Sequence, residues 1–242
     1  MYLKSCKVLQ DTIPNKQVYP FNIPSLKDLH ELEFPTNVTF FVGENGSGKS
    51  TLLEAIADRC DFNTAGGGRQ NLYEVHKAKS SLGEYIRLSW LPKISNGFFL
   101  RSETFYQFAS HIDLLEHPNK YAAFGGKSLH HQSHGESFLS LFMNRFRGKA
   151  IYLLDEPEAA LSPTRQLSLL KIIKDLEQEA QFIIATHSPI LLGYPEATIY
   201  SFDNGEIEAI RYEETIHYIV TKRFLAAPES ILRELFDEER ES

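Results

Sequence analysis

Two kinds of hydrophobic pattern alternate along this chain. Short uninterrupted runs of apolar and β-branched residues, such as Val38–Val42 and 150–154, have no polar face and are typical of strands inside a parallel sheet. Segments in which apolar residues recur every three or four positions, such as 51–59 and 163–180, indicate helices with one buried face. Because the two patterns follow one another at both ends of the chain, the sequence predicts an α/β fold.

The other predicted elements complete this picture. They are strands at 85–91, 98–100 and 181–185, helices at 103–115, 135–146, 213–225 and 230–236, and a hairpin of 197–202 with 207–210. Ser162 directly precedes Pro163, so we expect Ser162 to cap the helix and Pro163 to fill its first position. The patterns predict one domain over residues 1–242 with an inserted lobe at 65–148.

The composition is that of an ordinary globular protein. Hydrophobic residues make up 42% and charged residues 24%, which excludes a disordered or fibrous chain. Lys and Arg number 25 against 32 Asp and Glu, so the net charge of −7 gives nucleic-acid binding no support. Two cysteines cannot form a disulfide framework, and no apolar run has the length of a membrane span. We therefore expect a soluble cytoplasmic protein.

A glycine-rich segment joins the strand predicted at Val38–Val42 to the helix predicted at 51–59. Residues 43–50, Gly-Glu-Asn-Gly-Ser-Gly-Lys-Ser, match the phosphate-loop pattern G-x-x-x-x-G-K-[ST] at every fixed position. Its glycines allow successive backbone N–H groups to point at phosphates, and the helix N-terminus adds its positive end. Lys49 is expected to reach the β and γ phosphates, and Ser50 to ligate Mg²⁺. The sequence thus predicts a nucleotide site.

Two carboxylates follow the apolar run at 150–154. A site for a nucleotide and Mg²⁺ needs a carboxylate at the tip of a strand beside the phosphate loop, and Asp155 fits that need. Hydrolysis also needs a group that orients or deprotonates the attacking water, and the adjacent Glu156 can do so. Alternation along an extended chain would point the two side chains in different directions.

A histidine, His187, lies two residues after the strand predicted at 181–185. A lone histidine at a strand end is usually a structural residue, but His187 lies 32 positions after Asp155, beyond one helix and one strand. A β-α-β crossover would place these strands side by side, so that the His187 ring reaches the γ-phosphate or the catalytic water.

The order of these motifs resembles that of the ABC-type ATPase family, over nearly the whole chain. Residues 43–50 resemble its Walker A motif, and 151–156 resemble its Walker B strand with the catalytic glutamate. His187 is similar to its switch histidine. Residues 159–162 resemble its D-loop, with serine where aspartate is usual.

The family also has a signature sequence between these two motifs, commonly Leu-Ser-Gly-Gly-Gln, directly before a helix. Residues 132–136, Gln-Ser-His-Gly-Glu, lie in that place. Ser133 and Gly135 match the signature, whereas Gln132, His134 and Glu136 depart from it. Glutamate in the final position recurs in the chromosome-maintenance branch of the family.

The resemblance implies a P-loop NTPase fold of the ABC type, with a mostly parallel central sheet, an antiparallel N-terminal sheet and an inserted helical lobe. It implies ATP hydrolysis with Lys49, Glu156 and His187 as catalytic residues, and Mg²⁺ held by Ser50 and Asp155. The residues it assigns to ATP binding are Gly43, Glu44, Asn45, Gly46, Ser47, Gly48, Lys49, Ser50 and Thr51.

The resemblance further implies that two chains close around two Mg·ATP, each signature segment completing the site of the other chain. Hydrolysis would then release the dimer and drive a conformational cycle in a protein partner. The departures from the usual motifs favour a stand-alone ATPase of the chromosome-maintenance (SMC) and repair-related branch. There are three alternatives: the ATP-binding subunit of an ABC membrane transporter, a DNA-maintenance or defence-related factor, and a non-hydrolysing module that dimerises on ATP. The transporter alternative requires a membrane partner, which the departures disfavour.

Some assignments stay open at the level of sequence. The glutamine-loop residue of the family has three candidates, namely Arg101, Glu103 and Gln107. The aromatic residue that stacks on adenine has two candidates, Tyr19 and Phe21, and core packing is an equal alternative for them. The preference for ATP over GTP, and stimulation by nucleic acid, are also open.

Overall fold

The computed structural model describes residues 1–64, 66–68, 81–117, 120–122, 125–131 and 134–238. Its strands are β1 (Leu3–Val8), β2 (Glu31–Glu33), β3 (Val38–Val42), β4 (Ile86–Trp90), β5 (Gly97–Arg101), β6 (Ala150–Asp155), β7 (Ala180–Ala185), β8 (Thr198–Ser201) and β9 (Glu208–Ile210). Its α-helices are α1 (Pro24–Lys27), α2 (Lys49–Arg59), α3 (Phe105–Leu114), α4 (His134–Arg145), α5 (Pro163–Leu176), α6 (Pro189–Leu192), α7 (Ile216–Ala226) and α8 (Pro228–Glu238).

The larger sheet has six strands in the order β5-β6-β7-β3-β8-β9. All neighbours run parallel except β8 and β9, which form the predicted hairpin. The register pairs Arg101 with Asp155 and Asp155 with Ala185, so the carboxyl ends of β5, β6 and β7 lie level with one another. Polar residues that follow these strands therefore meet at one edge of the sheet.

A smaller antiparallel sheet has the order β2-β1-β4. It is attached to the larger sheet through the buried side chain of Gln181 on β7. The Oε1 atom of Gln181 accepts hydrogen bonds from the backbone N–H of Tyr2 (2.9 Å) and Leu3 (2.8 Å), and its Nε2 donates to the Leu3 carbonyl. A fully buried amide thus has partners for its donor and its acceptor.

Both faces of the larger sheet are buried, which explains the uninterrupted apolar runs of its strands. On β6, Tyr152 and Leu154 pack into one hydrophobic cluster, while Ile151 and Leu153 pack into a second cluster on the opposite face. The first cluster receives α3, α4 and α5, and the second receives α2. Burial of both faces fixes the positions of the strand ends that carry the polar residues.

The observed sheets and helices confirm the predicted fold class. One local expectation is wrong: Ser162 occupies the cap position of α5, but its side chain makes no capping hydrogen bond there. Within the predicted lobe at 65–148, β4 belongs to the smaller sheet and β5 to the larger one, so α3 and α4 are its helical part. The division into one domain with an inserted lobe stays a prediction.

None of the helices in the described ranges combines the length and the apolar character that a membrane span requires.

Candidate nucleotide site

The turn between β3 and α2 is shaped by its glycines. Gly43, Gly46 and Gly48 have φ values of 147°, 80° and 106°, a region that side chains disfavour. A Cβ atom on Gly48 would also lie 2.9 Å from Ser25 Oγ and 3.0 Å from Ile23 Cγ2. Gly48 caps α2 without a side-chain hydrogen bond, which leaves the N–H groups of the first turn for an anion.

The Lys49 side chain is folded back against this turn and is buried. Its Nζ atom donates to the carbonyl oxygens of Gly43 (2.6 Å) and Glu44 (2.8 Å). Burial lowers the pKa of Lys49, while the carboxylates of Glu156 and Asp203 act in the opposite direction. Among the described residues, the close hydrogen-bond acceptors of the ammonium group are therefore neutral carbonyls, and phosphate oxygens could replace them.

Ser50 and Asp155 meet although 105 residues separate them. The Ser50 hydroxyl donates to Oδ1 of Asp155 over 2.8 Å. Asp155 is 5% exposed, and burial raises its pKa to about 6 against the lowering effects of the Ser50 hydrogen bond and the Arg101 charge. The two side chains line a cavity of about 120 Å³ whose other lining residues are Arg101, Ser102, Glu103 and Glu156.

Arg101 at the end of β5 lies close to carboxylates in and beside this cavity. Its guanidinium lies 3.1 Å from Glu54 Oε2 and 3.1 Å from Glu103 Oε2, and its Nε lies 3.9 Å from Asp155 Oδ2. That Nε is buried and has no hydrogen-bond partner among the described residues. Of the three candidates for the glutamine-loop position, Arg101 and Glu103 line the cavity, whereas Gln107 is exposed on α3.

Glu156 follows Asp155 in a left-handed backbone conformation, with φ and ψ both 51°. Its N–H donates to the Ala185 carbonyl (2.9 Å), and its own carbonyl accepts from Ser102 Oγ (2.6 Å). This conformation ends the extended course of β6, and the Glu156 side chain is half-exposed beside the cavity. Its Oε1 atom lies 3.7 Å from Nε2 of His187.

His187 lies where the β-α-β crossover predicts, beside the end of β6. Its backbone N–H donates to Glu158 Oε1 over 2.6 Å, and its ring Nδ1 is 2.9 Å from Nε2 of His217. The His187 Nε2 atom, which faces Glu156, is buried and has no hydrogen-bond partner among the described residues. His217, on the first turn of α7, carries no motif, and nothing in the sequence links it to His187.

Asp203 is a second residue that the motifs do not indicate. Its Oδ1 accepts a hydrogen bond from the backbone N–H of Glu44 (2.6 Å), and a Cβ atom on Gly43 would lie 2.8 Å from it. The sequence predicts only a turn here. Asp203 reaches the phosphate loop because β8 pairs with β3 in a register that sets Ser201 beside Val42.

The signature segment is described from His134 onward, and Ser133 lies outside the described residues. Gly135 is in the first turn of α4 and packs tightly against α5, since a Cβ atom on it would lie 2.2 Å from Arg165 Nη1. Glu136 Oε1 lies 3.6 Å from Arg165 Nη2. This end of α4 is therefore fixed against α5, the helix that follows the D-loop segment.

The two aromatic candidates differ in their surroundings. Phe21 is 7% exposed and packs edge-on against Tyr85, with ring centroids 5.2 Å apart. Tyr19 is 70% exposed, and its hydroxyl lies 3.3 Å from Thr51 Oγ1 on the first turn of α2. Phe21 is a core residue, whereas the Tyr19 ring is free to contact a ligand at the phosphate loop.

Two family models match parts of the chain. One is described as "AAA domain, putative AbiEii toxin, Type IV TA system" and matches residues 137–193. The other, described as "AAA domain", matches residues 20–107. Among curated proteins, no sequence matches the chain.

Solved structures are similar to this chain over most of its length. MJ1267, an ATP-binding cassette of an ABC transporter in its ADP conformation, is 17% identical with a TM-score of 0.52, over 91% of this chain and 95% of that one. A nucleotide-free ATP-binding cassette from an ABC transporter is 16% identical with a TM-score of 0.51, over 91% and 96%. The SMC head domain from Thermotoga maritima is 17% identical with a TM-score of 0.49, over 87% and 99%. At such identities a likeness establishes the fold alone.

Proposed function

Since the chain has the P-loop ATPase fold of ABC cassettes, as its motifs indicated, we propose that it binds Mg·ATP and hydrolyses it to ADP and phosphate. The hydrogen bond from Ser50 Oγ to Asp155 Oδ1 carries this proposal. It joins the end of the phosphate loop to the first carboxylate of the adjoining strand end. Glu156 and His187 lie at the same edge of the sheet, with Oε1 and Nε2 3.7 Å apart.

The chemistry of Ser50 and Asp155 suits Mg²⁺. This ion prefers oxygen ligands and is usually held by a few protein groups together with substrate phosphates. Burial of the Asp155 carboxylate raises its pKa, and a cation beside it would offset the cost of its charge. We infer that the Ser50 hydroxyl and Asp155 hold the ion, which when bound neutralises the charge that develops on the phosphates.

The phosphates of ATP would lie along residues 43–51. The left-handed glycines and the uncapped first turn of α2 supply backbone N–H groups to their oxygens. Lys49 would exchange the carbonyls of Gly43 and Glu44 for phosphate oxygens, since an anion is a stronger acceptor for an ammonium group than a neutral carbonyl.

Glu156 is the general base in this proposal. Its carboxylate accepts a proton from the water whose oxygen attacks the γ-phosphorus, and the bond from that phosphorus to the ADP oxygen breaks. Its half-exposed side chain is accessible to water. His187 Nε2, which faces Glu156 without a partner among the described residues, would donate to a γ-phosphate oxygen and stabilise the charge there.

A dimer completes the proposal. The Ser133 hydroxyl and the backbone N–H groups of His134, Gly135 and Glu136 would donate to the γ-phosphate bound to a second copy of the chain, so that two chains close around two ATP molecules. Hydrolysis would release the dimer and drive a change in a protein partner in the cytoplasm. The position of Gly135 and Glu136 at the N-terminus of a twelve-residue helix supports an anion-binding role.

Phosphate release from Mg·ATP tests the enzymatic part. We expect turnover by the wild type, loss of at least about a hundredfold in Lys49→Ala and Glu156→Gln, and retained ATP binding in Glu156→Gln. Light scattering of Glu156→Gln with saturating Mg·ATP should give twice the monomer mass. Equal phosphate release by wild type and Lys49→Ala would refute hydrolysis at this site, and a strictly monomeric Glu156→Gln would refute the dimer.

A defence-related role is a second candidate, because one matching family model is named after a toxin of a toxin–antitoxin system. On this reading the ATPase controls growth arrest in its host. Expression of the wild type would slow growth, and expression of Lys49→Ala would not. Co-purification with an integral membrane protein would instead favour a transporter subunit, as in the similar ATP-binding cassettes of ABC transporters.

A further inference from the structure

The His187–His217 contact joins the nucleotide site to the C-terminal helices. Nδ1 of His187 and Nε2 of His217 are 2.9 Å apart, a full-strength hydrogen-bond distance, and the two ring centroids are 5.0 Å apart. Two other atoms of these rings, His187 Nε2 and His217 Nδ1, are buried without hydrogen-bond partners among the described residues. The direction of the one hydrogen bond therefore decides which ring nitrogens carry protons.

Only one of the two directions suits the surroundings of His187. If His187 Nδ1 donated to His217, the bare Nε2 lone pair of His187 would face the Glu156 carboxylate at 3.7 Å, and two acceptors would oppose each other. If His217 Nε2 donates to His187 Nδ1, the His187 proton lies on Nε2 and faces that carboxylate. The second arrangement is electrostatically favourable, and it leaves on His187 the Nε2–H group that the proposed contact with a γ-phosphate requires.

We propose that His217 is a positioning residue for ATP hydrolysis, whose Nε2–H group donates to His187 Nδ1 and so holds the His187 ring with its proton on Nε2. This rests on the function proposed above, in which His187 contacts the γ-phosphate. His217 itself does not touch the reacting atoms. Its effect would resemble that of the groups that orient catalytic or metal-bound histidines through the second ring nitrogen.

Hydrogen bonds beside His217 fix the start of α7. Thr215 is buried and caps α7, with its Oγ1 accepting from the Tyr218 N–H (3.3 Å) and donating to the Tyr212 carbonyl (2.8 Å). The Tyr212 hydroxyl in turn donates to the Pro189 carbonyl (2.8 Å), two residues after His187. The segment after β7 and the start of α7 are thus joined at two points.

The surroundings of His217 favour its neutral form, which has one ring N–H group to donate. Burial and the His187 ring lower the pKa of His217, and Lys49 acts in the same direction, while Asp203 and Glu44 raise it. A neutral His217 carries one ring proton, which the hydrogen bond to His187 uses.

Steady-state ATP hydrolysis by His217→Ala, His217→Gln and His217→Asn tests the inference. The amide nitrogen of glutamine can take the place of Nε2, whereas the shorter asparagine takes the place of Nδ1 and does not reach His187. We expect His217→Ala and His217→Asn to lower kcat by ~10-fold or more, with KM for ATP within about twofold of wild type. His217→Gln should recover most of the loss. Val220→Ala, at an exposed position of the same helix, should leave both constants unchanged.

Each result has a defined meaning. Equal kcat values for His217→Gln and His217→Asn would overturn the inference. They would show that activity does not depend on whether the amide nitrogen reaches His187. A His217→Ala kcat equal to that of Val220→Ala would overturn it as well. If the wild type itself released phosphate no faster than Lys49→Ala, the proposed function would fail. This control therefore distinguishes failure of the proposed ATPase activity from failure of the proposed role of His217. Should His217→Ala not fold, the comparison of the two amides still decides.

Discussion

The carboxylate of Asp155 is shielded from solvent, and a bound cation would stabilise its charge. It is almost fully buried, it accepts a hydrogen bond from Ser50, and its second oxygen lies 3.9 Å from the Arg101 Nε, the nearest cationic group among the described ion pairs. Arg101 is also shared with Glu54 and Glu103. The charge of Asp155 is therefore incompletely balanced by the protein alone, which is the condition that favours binding of Mg²⁺.

This imbalance predicts that Asp155→Asn stabilises the protein at pH 8 in the absence of Mg²⁺. The folded-state pKa of about 6 lies above the ordinary value of 3.8, so the folded protein binds a proton more tightly than the unfolded chain does. Stability from this group consequently falls as pH rises from about 4 to about 6. We expect Asp155→Asn to raise the free energy of unfolding at pH 8 by about 1–3 kcal/mol, with a smaller gain near pH 4.

Urea unfolding with EDTA at the two pH values measures this effect. Asp11→Asn, a substitution of an exposed carboxylate, serves as the control and should change neither value by more than about 0.5 kcal/mol. A gain from Asp155→Asn that is equal at both pH values, or a loss at pH 8, would contradict the prediction.

At the scale of elements, the segment before α1 shows how one short stretch serves both the core and the site. Phe21 is buried against Tyr85, while Tyr19, two residues earlier, is exposed beside Thr51 of α2. The sequence could not separate the two aromatics, because both lie upstream of the phosphate loop at similar spacing. The difference arises only when the segment packs beside α2.

We predict that Tyr19→Ala weakens ATP binding roughly tenfold without lowering the free energy of unfolding, since base stacking on an aromatic side chain contributes about 1–3 kcal/mol. Phe21→Ala should instead lower the free energy of unfolding by about 3–5 kcal/mol through loss of core packing. Titration with a fluorescent ATP analogue and urea unfolding separate the two effects. Unchanged ATP affinity in Tyr19→Ala would exclude stacking at this position.

The elements also show which sequence signals are reliable. The apolar runs of β3, β6 and β7 predicted buried strands because burial of both faces leaves no other pattern. The strand β1 was not predicted, since Leu3–Val8 mixes lysines and a serine with its apolar residues and depends on the Gln181 side chain of a distant strand. Ser162 is a favoured residue type and lies at the cap position of α5, but its side chain makes no capping hydrogen bond.

At the scale of the whole molecule, the site is a product of the strand order. The strand β7 lies between β3, which leads into the phosphate loop, and β6, which ends in Asp155. Motif spacing predicted that β6 and β7 are neighbours, and so placed His187. It could not predict that Asp203 and His217 arrive from the C-terminal third of the chain, because their positions depend on β8 pairing with β3 and on the packing of α7.

The proposed dimer predicts a stability that depends on protein concentration. A ligand that binds only the folded state raises the free energy of unfolding by about 2.7 kcal/mol at a hundred times its Kd, whatever the protein concentration. If ATP also joins two chains, each chain is a further ligand of the other, so the free energy of unfolding also rises with protein concentration. We therefore expect the Tm of Glu156→Gln in saturating Mg·ATP to rise by a few degrees when the protein concentration is raised about a hundredfold.

Thermal unfolding of Glu156→Gln with Mg·ATP, with Mg·ADP and with EDTA distinguishes binding from dimerisation. Lys49→Ala provides the control, because it removes the ammonium group that would bind the phosphates. We expect its Tm to change neither with added nucleotide nor with protein concentration. A Tm of Glu156→Gln that rises with ATP but stays constant with protein concentration would mean that one chain closes its site alone. In that case the N-terminus of α4, with Gly135 and Glu136, would have to act within its own molecule, although it is packed against α5.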